Sequence, residues 1–192
     1  MNDQELIQKI AQNDHIAFKI LVDRYNEMVI NVCFHFCGNK QDAEDVAQEV
    51  FIQIYKSAAN YRFEAKLSSW IYRIAVNRSL NNLRTQKRMR WFKRISDFFD
   101  DDQLNETTIS DPVSPDQPDI AFSGKEQREI IQKAIDSLPE DQKTAFMLHQ
   151  FEGLSYQEIT EIMQKSLSLV TSIIHRAKLT LQKKLVNILK EG

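Results

Sequence analysis

The sequence predicts an all-α fold: two small helical domains joined by a flexible acidic linker, the second containing a helix-turn-helix. Three observations carry that expectation. Among 192 residues glycine and proline number only four each, so a chain rich in Leu, Ile, Gln, Glu, Lys and Ala meets few helix breakers. Apolar residues recur at intervals of three and four over most of the length, the period of amphipathic helices. The exception is 95–124, where eight acids and three prolines gather without one Lys or Arg. Such a segment cannot sustain a helix or bury much apolar surface. The length suits two small domains, each with a modest core, and the divisions fall at 1–94, 95–124 and 125–192.

From Asp14 to Cys37, the residues Phe18, Leu21, Tyr25, Met28, Val29, Val32 and Phe36 define one apolar face, with Asp14 as N-cap. Gly38 and Asn39 end that helix, both tolerating the left-handed conformation of a last turn. A second helix runs from about Gln41 to Ala58, with Val46, Ala47, Val50, Phe51, Ile54 and Tyr55 inward. Asp42, Glu44, Asp45, Gln48 and Glu49 crowd its other face. The helix dipole accounts for acids in the first turn, but Glu49 lies beyond it, and an exposed acidic face equally suits a basic protein partner. Cys33 and Cys37 share a helix face from which His35 points away, so two buried thiols are expected and no metal site.

A loop from Asn60 to about Lys66 leads into a long helix through Leu67, Trp70, Ile71, Ile74, Leu80 and Leu83. Between Tyr61 and Arg94 there are ten basic residues and one acid, Glu64, in a protein of net charge -2. Tyr61, Phe63, Trp70, Tyr72, Trp91 and Phe92 are interleaved with them. Cations grip phosphates, and flat rings accept unstacked bases, so the mixture suits nucleic acid that is partly single-stranded. Arg73, Asn77, Asn81 and Arg84 recur at helical spacing and track a groove or a phosphate row.

After the acidic segment, Lys125 to Ser137 reads as a helix. Ser137-Leu138-Pro139-Glu140 has the spacing of a capping box and announces a second helix through Phe151, which Gly153 breaks. Ser155-Tyr156-Gln157-Glu158 repeats the box and starts a short helix to Met163. A turn from Gln164 to Leu167 precedes a last helix from about Ser168 to Leu189. Ile159, Ile162, Leu167, Val170 and Ile174 are spaced to pack together, as in a helix-turn-helix. Arg176, Lys178, Lys183 and Lys184 tilt that motif toward DNA. No phosphate-binding glycine loop, zinc-protease motif or nucleophile elbow is present, and His15, His35, His149 and His175 are scattered. The expectation is therefore no enzyme, no metal and no cofactor. With no long apolar run and no leader, a soluble cytoplasmic protein without membrane insertion is expected.

Three segments in this order resemble the extracytoplasmic-function sigma factors of bacterial RNA polymerase: DAEDVAQEVFIQIY (Asp42 to Tyr55), LSSWIYRIAVNRSLNNLR (Leu67 to Arg84), and LPEDQKTAFMLHQFEGLSYQEITEIM (Leu138 to Met163) followed by HRAKLTLQKKL. The resemblance implies that Asp42, Asp45, Gln48 and Glu49 dock on the beta-prime clamp of core polymerase. It implies that Tyr61, Arg62, Phe63, Glu64, Lys66, Ser69 and Trp70 surround a flipped base of the minus-ten element. Trp70 reads equally as a wedge or as core. Arg73, Asn77, Arg78 and Asn81 would meet the upstream duplex edge. The second domain would read the minus-thirty-five element with Ser155, Ser168, Leu169, Thr171, Ser172, His175, Arg176 and Lys178 and bind the beta flap. This chain holds Thr171 and Ile173 where cations are frequent in such helices, Leu169 at the tip, and Phe63 where a small residue is frequent. The acidic linker would thread toward the active-site cleft. Family members are commonly held by an anti-sigma factor. The competing readings are a stand-alone helix-turn-helix regulator and a helical scaffold without nucleic acid.

Overall fold

The computed structural model describes residues 1–99 and 124–191. Among them there are helices and turns and no strand. The amino-terminal half comprises α1 (Asp3–Ala11), α2 (His15–Cys37), α3 (Lys40–Ser57), a 3-10 turn (Ala58–Asn60) and α4 (Leu67–Phe99). The second half comprises α5 (Gly124–Asp136), α6 (Glu140–Gln150), α7 (Tyr156–Met163) and α8 (Leu167–Glu191).

Helix α1 lies ahead of the apolar period that begins at Asp14 and is an addition to the expected elements. Its signal is nevertheless local. Asn2 and Glu5 close a capping box, at 2.8 and 3.0 Å, and Leu6, Ile7 and Ile10 form one buried face. Arg24 of α2 donates to Asp3 at 2.6 Å and to the Met1 carbonyl at 3.0 Å, fastening α1 down. Asp14 caps α2 as expected, accepting from the Ile16 and Ala17 amides at 2.9 and 3.0 Å.

Gly38 adopts the left-handed conformation (φ +78°) that closes α2. Asn39 does not share it. Its backbone is extended (φ -143°), and its side chain accepts from the Asp42 amide at 2.9 Å, so it caps α3 instead. One left-handed residue suffices to reverse the chain, and the next helix needs an acceptor at its own start.

Leu21, Val29, Val32 and Phe36 of α2, Val46, Val50 and Ile54 of α3, and Leu67, Ile71 and Ala75 of α4 form the core of this half. Cys33 is buried and Cys37 half-buried, both as free thiols. Burial pushes the Cys33 thiol up to about 12, so it stays protonated and packs as a small apolar group.

Helix α4 corrects the expected start of the linker. It runs on through Ile95 to Phe99, because nothing there interrupts a helix already propagating and the next proline is Pro112. The acidic segment otherwise falls, over 100–123, outside the described residues.

In the second half the cap expected from Ser137 is replaced. The N-cap position of α6 is Pro139, with no side-chain bond, while the Ser137 hydroxyl donates back to the Ala134 carbonyl at 2.6 Å. The Ser155–Glu158 box of α7 is present. Gln164 closes α7 in a left-handed conformation (φ +53°). Ile159, Ile162, Val170 and Ile174 pack as expected, but Leu167 does not: it begins α8 and stays 49% exposed.

If α1 is an integral part of the core, Leu6→Ala will destabilise the protein by about 2–5 kcal/mol. Urea denaturation measures this, and a loss below about 1 kcal/mol would mean that α1 is an appendage.

Candidate nucleic-acid and partner interfaces

Side chains three and four apart share a helix face, and on α3 this aligns Asp45, Gln48, Glu49 and Ile52, all exposed. Asp42 heads the same stripe but is half-buried and committed to the fold. Its carboxylate accepts from Asn39 Nδ2 at 2.7 Å and from Gln86 Nε2 of α4 at 2.8 Å. These two bonds hold its carboxyl below the usual carboxylate range. Glu49 stands 3.9 Å from Arg78 of α4, whose guanidinium also donates to Gln53. Arg78 therefore joins α4 to α3 and is only partly available to a ligand.

The loop after α3 brings three aromatic rings together. Tyr61 lies 4.8 Å from Trp70 and 4.6 Å from Phe63 between ring centroids, and the Tyr61 hydroxyl donates to the Ala65 carbonyl, closing the loop. Phe63 has a left-handed backbone (φ +57°) and its ring is exposed. Trp70 is half-buried: one side packs on Tyr61 and another lines a cavity of about 520 Å³. Arg62, Glu64, Arg73 and Asn77 line the same cavity. Arg62, Phe63, Glu64 and Lys66 are exposed, and so are Asn77 and Asn81 on the outer stripe of α4. Ser69 is different: it is buried and donates to Glu161 of α7 at 2.9 Å.

On the second half, Ser168, Leu169, Thr171, Ser172, His175, Arg176 and Lys178 are all exposed along α8. Ile173 is buried and belongs to the core. Ser155 is committed as the cap of α7, accepting from the Glu158 amide at 3.3 Å and donating to the Glu158 carboxylate at 2.8 Å. Hydrogen bonds from Ser155, together with the charge of Lys66, hold the Glu158 carboxyl low.

What the sequence did not disclose is how the two halves meet. Carboxylates of the second half sit on the polar and cationic groups of the first. Glu152 accepts from Tyr72 at 3.3 Å and stands 2.8 Å from His35 Nδ1. Burial and this carboxylate together raise the Tyr72 hydroxyl pKa. Glu140 pairs with Arg84, Glu158 lies 4.0 Å from Lys66, and Glu161 and Gln164 close one side of the cavity beside Trp70. The partners lie 56–117 residues apart in sequence, so no local pattern announces them. Exposed ion pairs of this kind are each worth about 0–1 kcal/mol, which leaves the junction open to competition. Among the described residues no cluster of His, Cys, Asp and Glu could hold a metal, and no helix is long and apolar enough to cross a membrane.

Comparison with known proteins assigns both halves. Residues 21–89 match the Sigma-70 region 2 family and residues 128–181 the Sigma-70 region 4 family. Over 96% of both chains the sequence is 35% identical to the ECF RNA polymerase sigma-E factor of Haemophilus influenzae. The chain belongs to the extracytoplasmic-function sigma factors. This sigma factor is also 34% identical to the RNA polymerase sigma-H factor of Pseudomonas aeruginosa, over 99% of its own length and 97% of the relative's. Its fold is that of CnrH, solved in complex with the cytosolic domain of CnrY: the TM-score is 0.66 at 18% identity, covering 96% of this chain and 97% of that one. A sigma factor is a DNA-binding subunit of RNA polymerase that acts in transcription initiation.

Two outcomes are expected. The folded pKa of Asp42 lies below its ordinary value of 3.8. It therefore contributes stability that is present above the unfolded pKa and lost as pH falls through the folded one. Asp42→Asn will accordingly flatten the fall in stability below about pH 4, seen by urea denaturation across that range, and an unchanged acid limb would show that its bonds to Asn39 and Gln86 are immaterial. Replacing Glu158 and Glu161 with Gln, which keeps the cap of α7, will raise the affinity of the free protein for labelled DNA several-fold at low salt. Equal anisotropy titrations for variant and parent would show that these carboxylates do not compete with DNA.

Proposed function

We propose that residues 1–94 form the domain that docks on core polymerase and melts the minus-ten element, and that 125–192 form the duplex-reading domain. Asp45, Gln48 and Glu49, with Asp42 at the head of the stripe, meet the beta-prime clamp. A non-template base turns out of the stack into the cavity beside Tyr61 and Trp70, with Arg62, Phe63, Glu64, Lys66 and Ser69 around it. Arg73, Asn77, Arg78 and Asn81 follow the duplex edge. Melting requires that the flipped single strand bind better than the closed duplex, since a ligand without differential affinity shifts no equilibrium. Stacking on a ring supplies that difference, at about 1–3 kcal/mol per base, because a base inside the duplex has no free face to offer.

The single observation that carries this reading is the corner of Tyr61, Phe63 and Trp70 at the mouth of a cavity lined by Arg62 and Arg73. The outer face of α8 then takes the minus-thirty-five element, the second domain meets the beta flap, and the segment between α4 and α5 connects the two along the polymerase cleft. RNA synthesis itself stays with the core enzyme, so this chain needs no catalytic residue, and its place of work is the cytoplasm. CnrH is bound by a separate cytosolic domain, and by that likeness an anti-sigma protein is proposed to hold this factor as well.

The test is reconstitution with purified core polymerase, followed by run-off transcription from chromosomal fragments. Trp70→Ala will lower initiation on duplex templates roughly tenfold and much less on templates carrying a premelted bubble. Equal losses on both would remove Trp70 from melting. Duplex binding without polymerase, and no RNA with it, would favour the stand-alone regulator.

A further inference from the structure

Beside the Arg84–Glu140 pair, where α4 of the first half meets α5 and α6 of the second, lies a cavity of about 260 Å³. We propose that this cavity binds a nucleoside phosphate, the base seated on its apolar lining and the phosphates held by Lys87 and Arg90. The site is a small-molecule site separate from the polymerase and promoter contacts. Only its consequence for DNA rests on the reading of α4 as a DNA-facing helix.

Charge selects an anion. Four cations line the cavity, Arg84, Lys87 and Arg90 from α4 and Lys143 from α6, against two carboxylates, Asp136 and Glu140. Both carboxylates are engaged by cations of the same wall: Asp136 accepts from Lys143 at 2.6 Å, and Glu140 pairs with Arg84. Asp42 is within electrostatic reach of Arg90, but its carboxylate is taken up by Asn39 and Gln86. The wall therefore keeps a positive excess at Lys87 and Arg90. Both are exposed and stand three residues apart, the spacing at which two helical side chains reach one phosphate group. Lys143 sets the place apart from a solvated cationic face. It is only 6% exposed, and its ammonium lies 5.9 Å from the centre of the Phe36 ring. A charge carried so far inside is costly unless oxygens surround it, and a ligand phosphate would add to the one carboxylate it has.

Shape and polarity narrow the ligand further. Phe36, Leu80, Leu83 and Leu138 supply an apolar part of the lining. The volume falls just short of the roughly 300–1,000 Å³ of pockets that enclose a drug-sized molecule, so the cavity takes one ring system and leaves an attached phosphate chain at its mouth. The Gln132 amide donates to Asp136 at 3.2 Å and keeps its carbonyl oxygen as an acceptor for a base N–H. Because α4 and α6 both contribute walls, such a ligand binds the compact arrangement and not the parted one, and differential affinity of that kind shifts the equilibrium toward the compact form. DNA that requires the halves to part is then opposed, and opposes the ligand by the same factor.

The experiment uses the full chain without polymerase, so that no substrate site of the enzyme intervenes. Calorimetric titrations at low salt with ADP, GDP, CDP and UDP, and with inorganic pyrophosphate, read the site directly. At least one nucleoside diphosphate is expected to bind with a single-site isotherm, about tenfold more tightly than pyrophosphate, because its base leaves water. Lys87→Ala combined with Arg90→Ala should weaken that binding by about tenfold or more. Lys9→Ala combined with Lys19→Ala removes the same charge from exposed positions on α1 and α2 and should change nothing. At saturation the nucleotide should weaken binding of labelled DNA several-fold. The site is overturned if no nucleotide binds, if pyrophosphate binds as tightly, or if the distant lysine pair costs as much as the cavity pair. DNA affinity indifferent to bound nucleotide overturns the coupling between the two. A chain that binds nucleotide as expected but starts no RNA with core enzyme overturns the promoter reading and leaves the site standing.

Discussion

The exposed stripe of α4 follows from the way that helix is wedged against α2 and α3. Leu67, Ile71 and Ala75 are almost completely buried there, and a helix that commits one stripe to the core has no freedom left in the direction of the other. Trp70, Arg73, Asn77 and Asn81 lie on that second stripe, so their alignment is a consequence of apolar burial three or four residues away. Ser69, in the same turn as Trp70, sits inside because α7 lies over it, its hydroxyl donating to Glu161. Asp42 adds a polar lock at the far end, tying the start of α3 to Gln86.

Polar contacts at the junction between the halves run beside ring contacts, with Phe151 4.8 Å from His35 and Lys143 over the Phe36 ring. Glu140, Glu152, Glu158 and Glu161 stand against Arg84, His35 with Tyr72, Lys66 and Ser69, which are groups that phosphate oxygens would also satisfy. Most of these contacts reach the surface, where water and salt weaken them. Glu152 is the exception, being largely buried between two donors. The polar part of the junction therefore consists of one enclosed carboxylate and several exchangeable ones.

Much of the fold could be read from residue spacing, because helical period, capping boxes and glycine closures are short-range features. Asp14, Gly38 and the Ser155–Glu158 box behave as their chemistry dictates. The errors are equally physical. Ser137 has the spacing of a cap, but its hydroxyl found the Ala134 carbonyl first. Leu167 fits the apolar period, yet as the first residue of α8 it projects past the core. Helix α1 carries a capping box and a buried triad, but its nine residues are too short to show a sustained apolar period. The acidic stripe of α3 and the aromatic loop were legible from composition and spacing. The carboxylates of α7 beside the aromatic loop were not, since they come from a helix distant in sequence and their surroundings exist only in the folded chain.

The exposure of α8 contrasts with the covered state of the aromatic corner. Glu161 and Gln164 close the cavity from one side, whereas the outer face of the last helix meets solvent along its first turns. For the proposed function this sets an order of operations. An intact duplex finds its footing on α8 first, and strand separation waits until the two halves part, so the molecule grips a promoter before it opens one.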